Sequence, residues 1–218
     1  MFRTVTCLLL TLILAACSSD KSPPEDIPAP APTTDTSPQI DEQASVVARA
    51  QAPLLDGLGD FNHPITTADP WAQRYFNQGM IMASGFNHAE AIRAFKAAQR
   101  LDPGCAMCFW GEALATGPNI NVTSKGKAIM MPADRESAFA AIGKAQSLAA
   151  NASEREQDLI AAQARRYNGD VDSEREPLDV AYAQAMRELA AKYPDDDDIQ
   201  AIFAEALMNT MPWDYWLD

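Results

Sequence analysis

Residues 72–103 read AQRYFNQGMIMASGFNHAEAIRAFKAAQRLDP, and this stretch decides the fold. Its apolar residues return at intervals of three and four, without the alternation of a half-buried strand. Asp69 followed by Pro70 gives a capping residue and a proline at the first helical position, which predicts a helix over 71–84. Gly85-Phe86-Asn87 turns the chain. A second helix over 88–100 then carries Ala91, Ile92, Phe95 and Ala98 along one stripe, and Pro103-Gly104 ends it. Two helices joined by so short a turn lie antiparallel and bury their facing stripes.

Downstream, the pattern begins again. Phe109 stands one period of about 34 residues after Tyr75 and lies on a helix predicted over 105–115. Gly117-Pro118-Asn119-Ile120-Asn121 opens a long insertion that runs to Pro132. The helix after it, 134–149, repeats the stripe as Ala138, Ile142 and Ala145. Ser153-Glu154-Arg155-Glu156 has the form of a capping box, opening a helix to about Tyr167. Pro177 opens another that reaches Lys192. Asp195 to Asp198 lead into a last helix over 199–209, where negative charge at a helix start is favourable. The aromatic segment Met211 to Trp216 follows. A helical array needs a polar capping element, so the chain is expected to be incomplete at this end, the alternative being that these aromatics fold back onto the array.

Tyr75, Gly79, Ala91, Phe95, Ala98 and Pro103, at these spacings, resemble the tetratricopeptide repeat family. The resemblance covers about residues 71–209 and is strongest in the first unit. It implies an all-α fold, a right-handed solenoid of antiparallel helix pairs, used as a binding scaffold without chemistry of its own. It also implies that positions two, five and nine of each unit line a concave groove. In the first unit these are Gln73, Phe76 and Met80, and in the second Met107, Trp110 and Leu114. Apolar groups on such a groove would dock a protein or peptide partner. The competing occupant is the chain's own segment 46–61.

The N-terminus reads as an address. A short basic start and an apolar run from Cys7 to Ala16 have the form of a secretory signal, too short to span a bilayer. Leu14-Ala15-Ala16-Cys17 resembles the lipobox of bacterial lipoproteins, implying cleavage after residue 16 and acylation of Cys17; an ordinary signal peptide with an incidental cysteine is the alternative. Ser18 after the cysteine implies sorting to the outer membrane, with the folded part facing the periplasm. Pro23, Pro24, Pro28, Pro30, Pro32 and Pro38 predict a disordered Pro-rich tether over 17–45. Residues 46–70 form an N-terminal extension, and 71–218 the repeat domain. The chain has 17 Lys and Arg against 30 Asp and Glu, a net charge of −13. That balance argues against nucleic acid and against electrostatic docking on anionic lipid.

Cys105 and Cys108 are the two cysteines outside the leader and lipobox. At a helix start in an oxidising compartment they are expected to form a disulfide. Phe109 stands where a haem-attachment motif needs histidine, and a helix rather than a strand precedes the pair, unlike a thioredoxin site. The alternative is a copper or zinc site of His63, Cys105 and Cys108, or a thiol-redox module. His88 is set apart from the pair by a helix of about 18 Å and reads as a residue at a helix start; His63 otherwise reads as a turn residue before Pro64. No nucleophile–histidine arrangement or phosphate-binding glycine loop is present, so neither enzymatic activity nor a cofactor is expected.

Overall fold

The computed structural model describes residues 38–122 and 130–211, and among these the regular structure is all α-helical. The helices are α1 (Pro38–Ala50), α2 (Pro70–Ser84), α3 (His88–Leu101), α4 (Ala106–Thr116), α5 (Pro132–Leu148), α6 (Glu154–Ala164), α7 (Glu176–Lys192) and α8 (Asp197–Thr210). Each helix from α2 onward packs on the next, α6 on α7 and α7 on α8 included. Helices two apart also touch, α2 with α4 and α4 with α6. The leader, Cys17, most of the tether, residues 123–129 of the insertion and the aromatic segment after Met211 lie outside the described residues.

Local signals fix the helix starts. Asp69 Oδ1 accepts hydrogen bonds from the backbone N–H groups of Trp71 (2.8 Å) and Ala72 (3.3 Å), and Pro70 has no N–H to leave idle. At α6 the capping box is complete: Ser153 and Glu156 bond reciprocally. Glu156 also accepts from the backbone N–H and hydroxyl of Thr66, which ties the N-terminal segment to α6. Asp196 caps α8 through Ile199 N–H at 3.0 Å. The α6 helix ends at Ala164, short of Tyr167.

One expectation needs correction. The tether predicted to run to residue 45 gives way to helix at Pro38, because Val46 and Ala50 form an apolar stripe that α1 buries against α3. Beyond α1 the chain is bound to α2 by side chains. Tyr75 Oη donates to the Ala52 carbonyl at 2.7 Å, and Gln78 bonds both Leu55 N–H and the Pro53 carbonyl.

The centre of the packing is Phe95, fully buried. Its ring meets the Phe76 ring edge-on at 5.3 Å and lies against Gly79 of α2 and Gly111 of α4. A methyl group at Gly79 would stand 2.6 Å from that ring, and one at Gly111 2.4 Å. Both positions are helical, where glycine costs about 1 kcal/mol relative to alanine. Here the absent Cβ is what lets three helices meet.

Gly111→Ala tests this. Overpacking of about 1–3 kcal/mol outweighs the gain in helix propensity, so the melting temperature is expected to fall. Phe95→Leu in the same chain is expected to recover part of the loss. A melting temperature that rises on Gly111→Ala would show that the ring does not hold this contact.

Candidate binding cavity

Two polar features and one cavity stand out above this core. Cys105 and Cys108 are joined by a disulfide, with both residues buried at the start of α4. Cys105 is the N-cap, and its sulfur accepts from Cys108 N–H at 3.1 Å. His63 is elsewhere engaged, and no group of three or more His, Cys, Asp or Glu placed to hold a metal occurs among the described residues. The alternative trio His63, Cys105 and Cys108 is therefore not assembled.

His63 is fully buried, not a surface turn residue. Its ring lies 5.5 Å from Phe76 and 6.4 Å from Trp110, and its two nitrogens reach two other elements. Nδ1 stands 2.7 Å from Asp198 Oδ2 on α8, and Nε2 stands 3.0 Å from Arg155 Nη1 on α6. A guanidinium has no lone pair to give, so Nε2 must accept and Nδ1 must carry the proton. Arg155 in turn donates to both carboxylate oxygens of Asp196. A neutral imidazole thus bridges the segment before α2 to α6 and α8.

The cavity, about 410 Å³, opens between α2, the turn before α3, the end of α4 and α8. Met80, Leu114, Ile202 and Met208 give it apolar walls, and Phe61 and Phe86 stand on its rim. Phe86 holds a φ of +59°, a left-handed conformation unusual for a side chain of this size, and is 55% exposed. Its ring meets His88 edge-on at 6.0 Å. His88 lines the cavity with both ring nitrogens buried and without a hydrogen-bond partner. Glu205, Asn119 and Asp198 complete the polar part of the wall. Such a mixture of apolar wall and a few unsatisfied polar groups is the usual make-up of a recognition pocket.

Of the five residues expected to meet a partner, the cavity collects only Met80 and Leu114. Phe76, Met107 and Trp110 are at most 1% exposed and belong to the core. Trp110 Nε1 donates to the Leu159 carbonyl at 3.2 Å, so α6 covers the face it was expected to present. Gln73 is likewise taken, bonded to the His63 carbonyl and to Ile65 N–H. Sequence reasoning missed His88 as a lining residue, together with Asn119 and the α8 contributions Ile202, Glu205 and Met208. The helix over 199–209 was expected, but not what it faced.

Compared with known protein families, curated proteins and solved structures, the chain finds no significant match in any of the three.

Both histidines have pKa values lowered from the ordinary 6.5, chiefly by burial; Arg155 adds to the effect at His63, while the carboxylates of Asp198 and Asp196 oppose it, and Glu205 opposes it at His88. A base whose folded pKa is depressed binds its proton more readily in the unfolded chain. Its contribution is complete above pH 6.5 and falls as pH drops below that value. Because the chain has two histidines in all, the loss of melting temperature between pH 7 and 5.5 is expected to be reduced in His63→Gln and again in His63→Gln/His88→Gln. An unchanged slope in both would contradict the assignment.

Proposed function

We propose that this chain is a scaffold of tetratricopeptide-like helix pairs, carried on an acylated Cys17 at the periplasmic face of the outer membrane. Its binding site for a protein partner is the cavity between α2, α4 and α8. The observation that carries the reading is the set of apolar walls there, built in part from Met80 and Leu114. Those two residues stand at the positions that the family resemblance turns inward. The ring of Phe95 between Gly79 and Gly111 supports the same reading, since Gly79 and Phe95 belong to the repeat pattern.

Partner binding of this kind works by burying apolar surface around a few placed polar groups. The walls supply the surface, and the unsatisfied nitrogens of His88 supply a polar contact that water or a partner must complete. Phe86 is the rim contact. A phenyl ring kept exposed, on a backbone conformation that costs of order 1–3 kcal/mol, is retained against stability, as functional groups commonly are.

A benzophenone photo-cross-linker placed at Leu114 is expected to capture a discrete partner in the membrane fraction, while the same group at the exposed Phe139 on α5 captures none. Phe86→Gly is expected to hold or raise the melting temperature yet reduce the Leu114 adduct several-fold. Identical adducts from both positions, or none from either, would remove the reading. The anchoring half is checked separately. Labelled palmitate is expected in the native chain and absent from Cys17→Ser.

A further inference from the structure

The groups on the cavity wall that carry charge at neutral pH are both carboxylates, Asp198 and Glu205; no Lys or Arg lines it among the described residues. Their countercharges stand behind the wall and are shared. Arg155 Nη2 is 3.8 Å from Asp198 Oδ2, but the same guanidinium makes its two charge-assisted hydrogen bonds to Asp196. Arg166, fully buried, feels the Glu205 charge but also stands 3.8 Å from Asp179 Oδ1. Arg175 binds that Asp179 oxygen at 2.7 Å. Asp179, Asp196, Asp198 and Glu205 thus share the guanidinium groups of Arg155, Arg166 and Arg175, and accepting from Arg155 keeps the His63 imidazole neutral.

Two further polar groups lie unsatisfied near the carboxylates. A neutral His88 on the wall leaves one ring nitrogen as an unused acceptor and the other as an unused donor. Asn209, 1% exposed and not itself on the wall, donates to Glu205 at 2.8 Å and leaves its own Oδ1 without a partner. Two carboxylates beside apolar walls, with no Lys or Arg among the described lining residues, favour a cationic occupant over a neutral or anionic one.

We propose that the cavity takes a basic side chain, lysine or arginine, borne on an apolar segment of the partner protein. This rests on the partner-binding reading above and adds the chemistry of the partner. The apolar stem of a lysine or arginine would lie along Met80, Leu114 and Met208, with its charged end toward Glu205 and Asp198. A cavity of about 410 Å³ accommodates such a side chain with an apolar neighbour. The net charge of −13 draws a basic segment in from a distance.

The test uses the full chain and fluorescent heptapeptide pools, acetylated and amidated, with flanks drawn from Ala, Leu, Met and Ser. The central residue is Lys, Arg, norleucine or Glu. Anisotropy at low salt is expected to show the Lys and Arg pools binding about tenfold tighter than the norleucine pool, with the Glu pool weakest. Glu205→Gln and Asp198→Asn are each expected to shrink the Lys-to-norleucine ratio while the preference for apolar flanks persists. Should Glu205→Gln fail to fold, Asp198→Asn carries the test, since an amide oxygen still accepts from His63 Nδ1. A norleucine pool equal to the lysine pool, a ratio unchanged in the folded variants, or no binding by any pool overturns the proposal. In each of those cases the cross-link at Leu114 still decides, on its own, whether the cavity binds a partner.

Discussion

The whole arrangement depends on a close approach that only glycine permits. Phe95 of α3 fills the space where side chains would stand at Gly79 on α2 and Gly111 on α4. Its ring thereby fixes the spacing of three consecutive helices at one point. Phe76 then meets it edge-on, and Trp110 stands beyond, its ring centroid 6.5 Å from that of Phe76. Dense interiors of this sort transmit a one-methyl change because no void absorbs it. Without that contact the ends of α2 and α4 would not converge, and the cavity they line with Met80 and Leu114 would lose two of its walls.

A second constraint sets the remaining wall. Nothing in the α2–α4 packing dictates where α8 stands; α8 packs on α7, and the buried His63 adds a polar tie to its start. Its neutral ring is held between a guanidinium on α6 and a carboxylate on α8. Asp198 is shared between this bridge and the cavity, so one residue both holds α8 and contributes charge to the site. Burying a polar group is tolerable only when its hydrogen-bonding capacity is met. At His63, Arg155 meets one nitrogen and the Asp198 carboxylate stands 2.7 Å from the other, whereas no charged group approaches either nitrogen of His88 in this way. Two imidazoles in one chain thus take different roles, one held between charged groups of two helices, the other facing a cavity.

Much of the fold was legible because helix ends are written locally. Asp69-Pro70, the capping box at Ser153 and the acidic start of α8 each name a boundary through groups within four residues, and the helices begin at or within a few residues of those places. The site was less legible because groove lining depends on what covers each face. Phe76, Met107 and Trp110 are apolar residues on first helices, as Met80 and Leu114 are. The difference is that His63 closes over Phe76, His63 and α6 close over Trp110, and Met107 is buried in the same core. No spacing rule carries that information, since the covering groups lie tens of residues away. His88 and Glu205 were hidden for the same reason. A histidine at a helix start and a glutamate on an acidic helix look ordinary until the chain brings them to one wall.

That separation bears on how such a site could be built at all. The residues that set the framework, Phe95, Gly79 and Gly111, are buried and tightly constrained, so a change there acts first through stability. The residues that set the chemistry of the cavity come from four elements, and some are tied into the packing: Leu114 lies against the core and Glu205 accepts from the buried Asn209. Phe86 and Met208 are exposed and stand freest to vary, altering what is bound while the helices stay in place. Asp198 is shared in another way, since it also stands 2.7 Å from His63 Nδ1. An oxygen at that corner therefore serves both the contact between α8 and the segment before α2 and the wall of the cavity, and any occupant must come to terms with it.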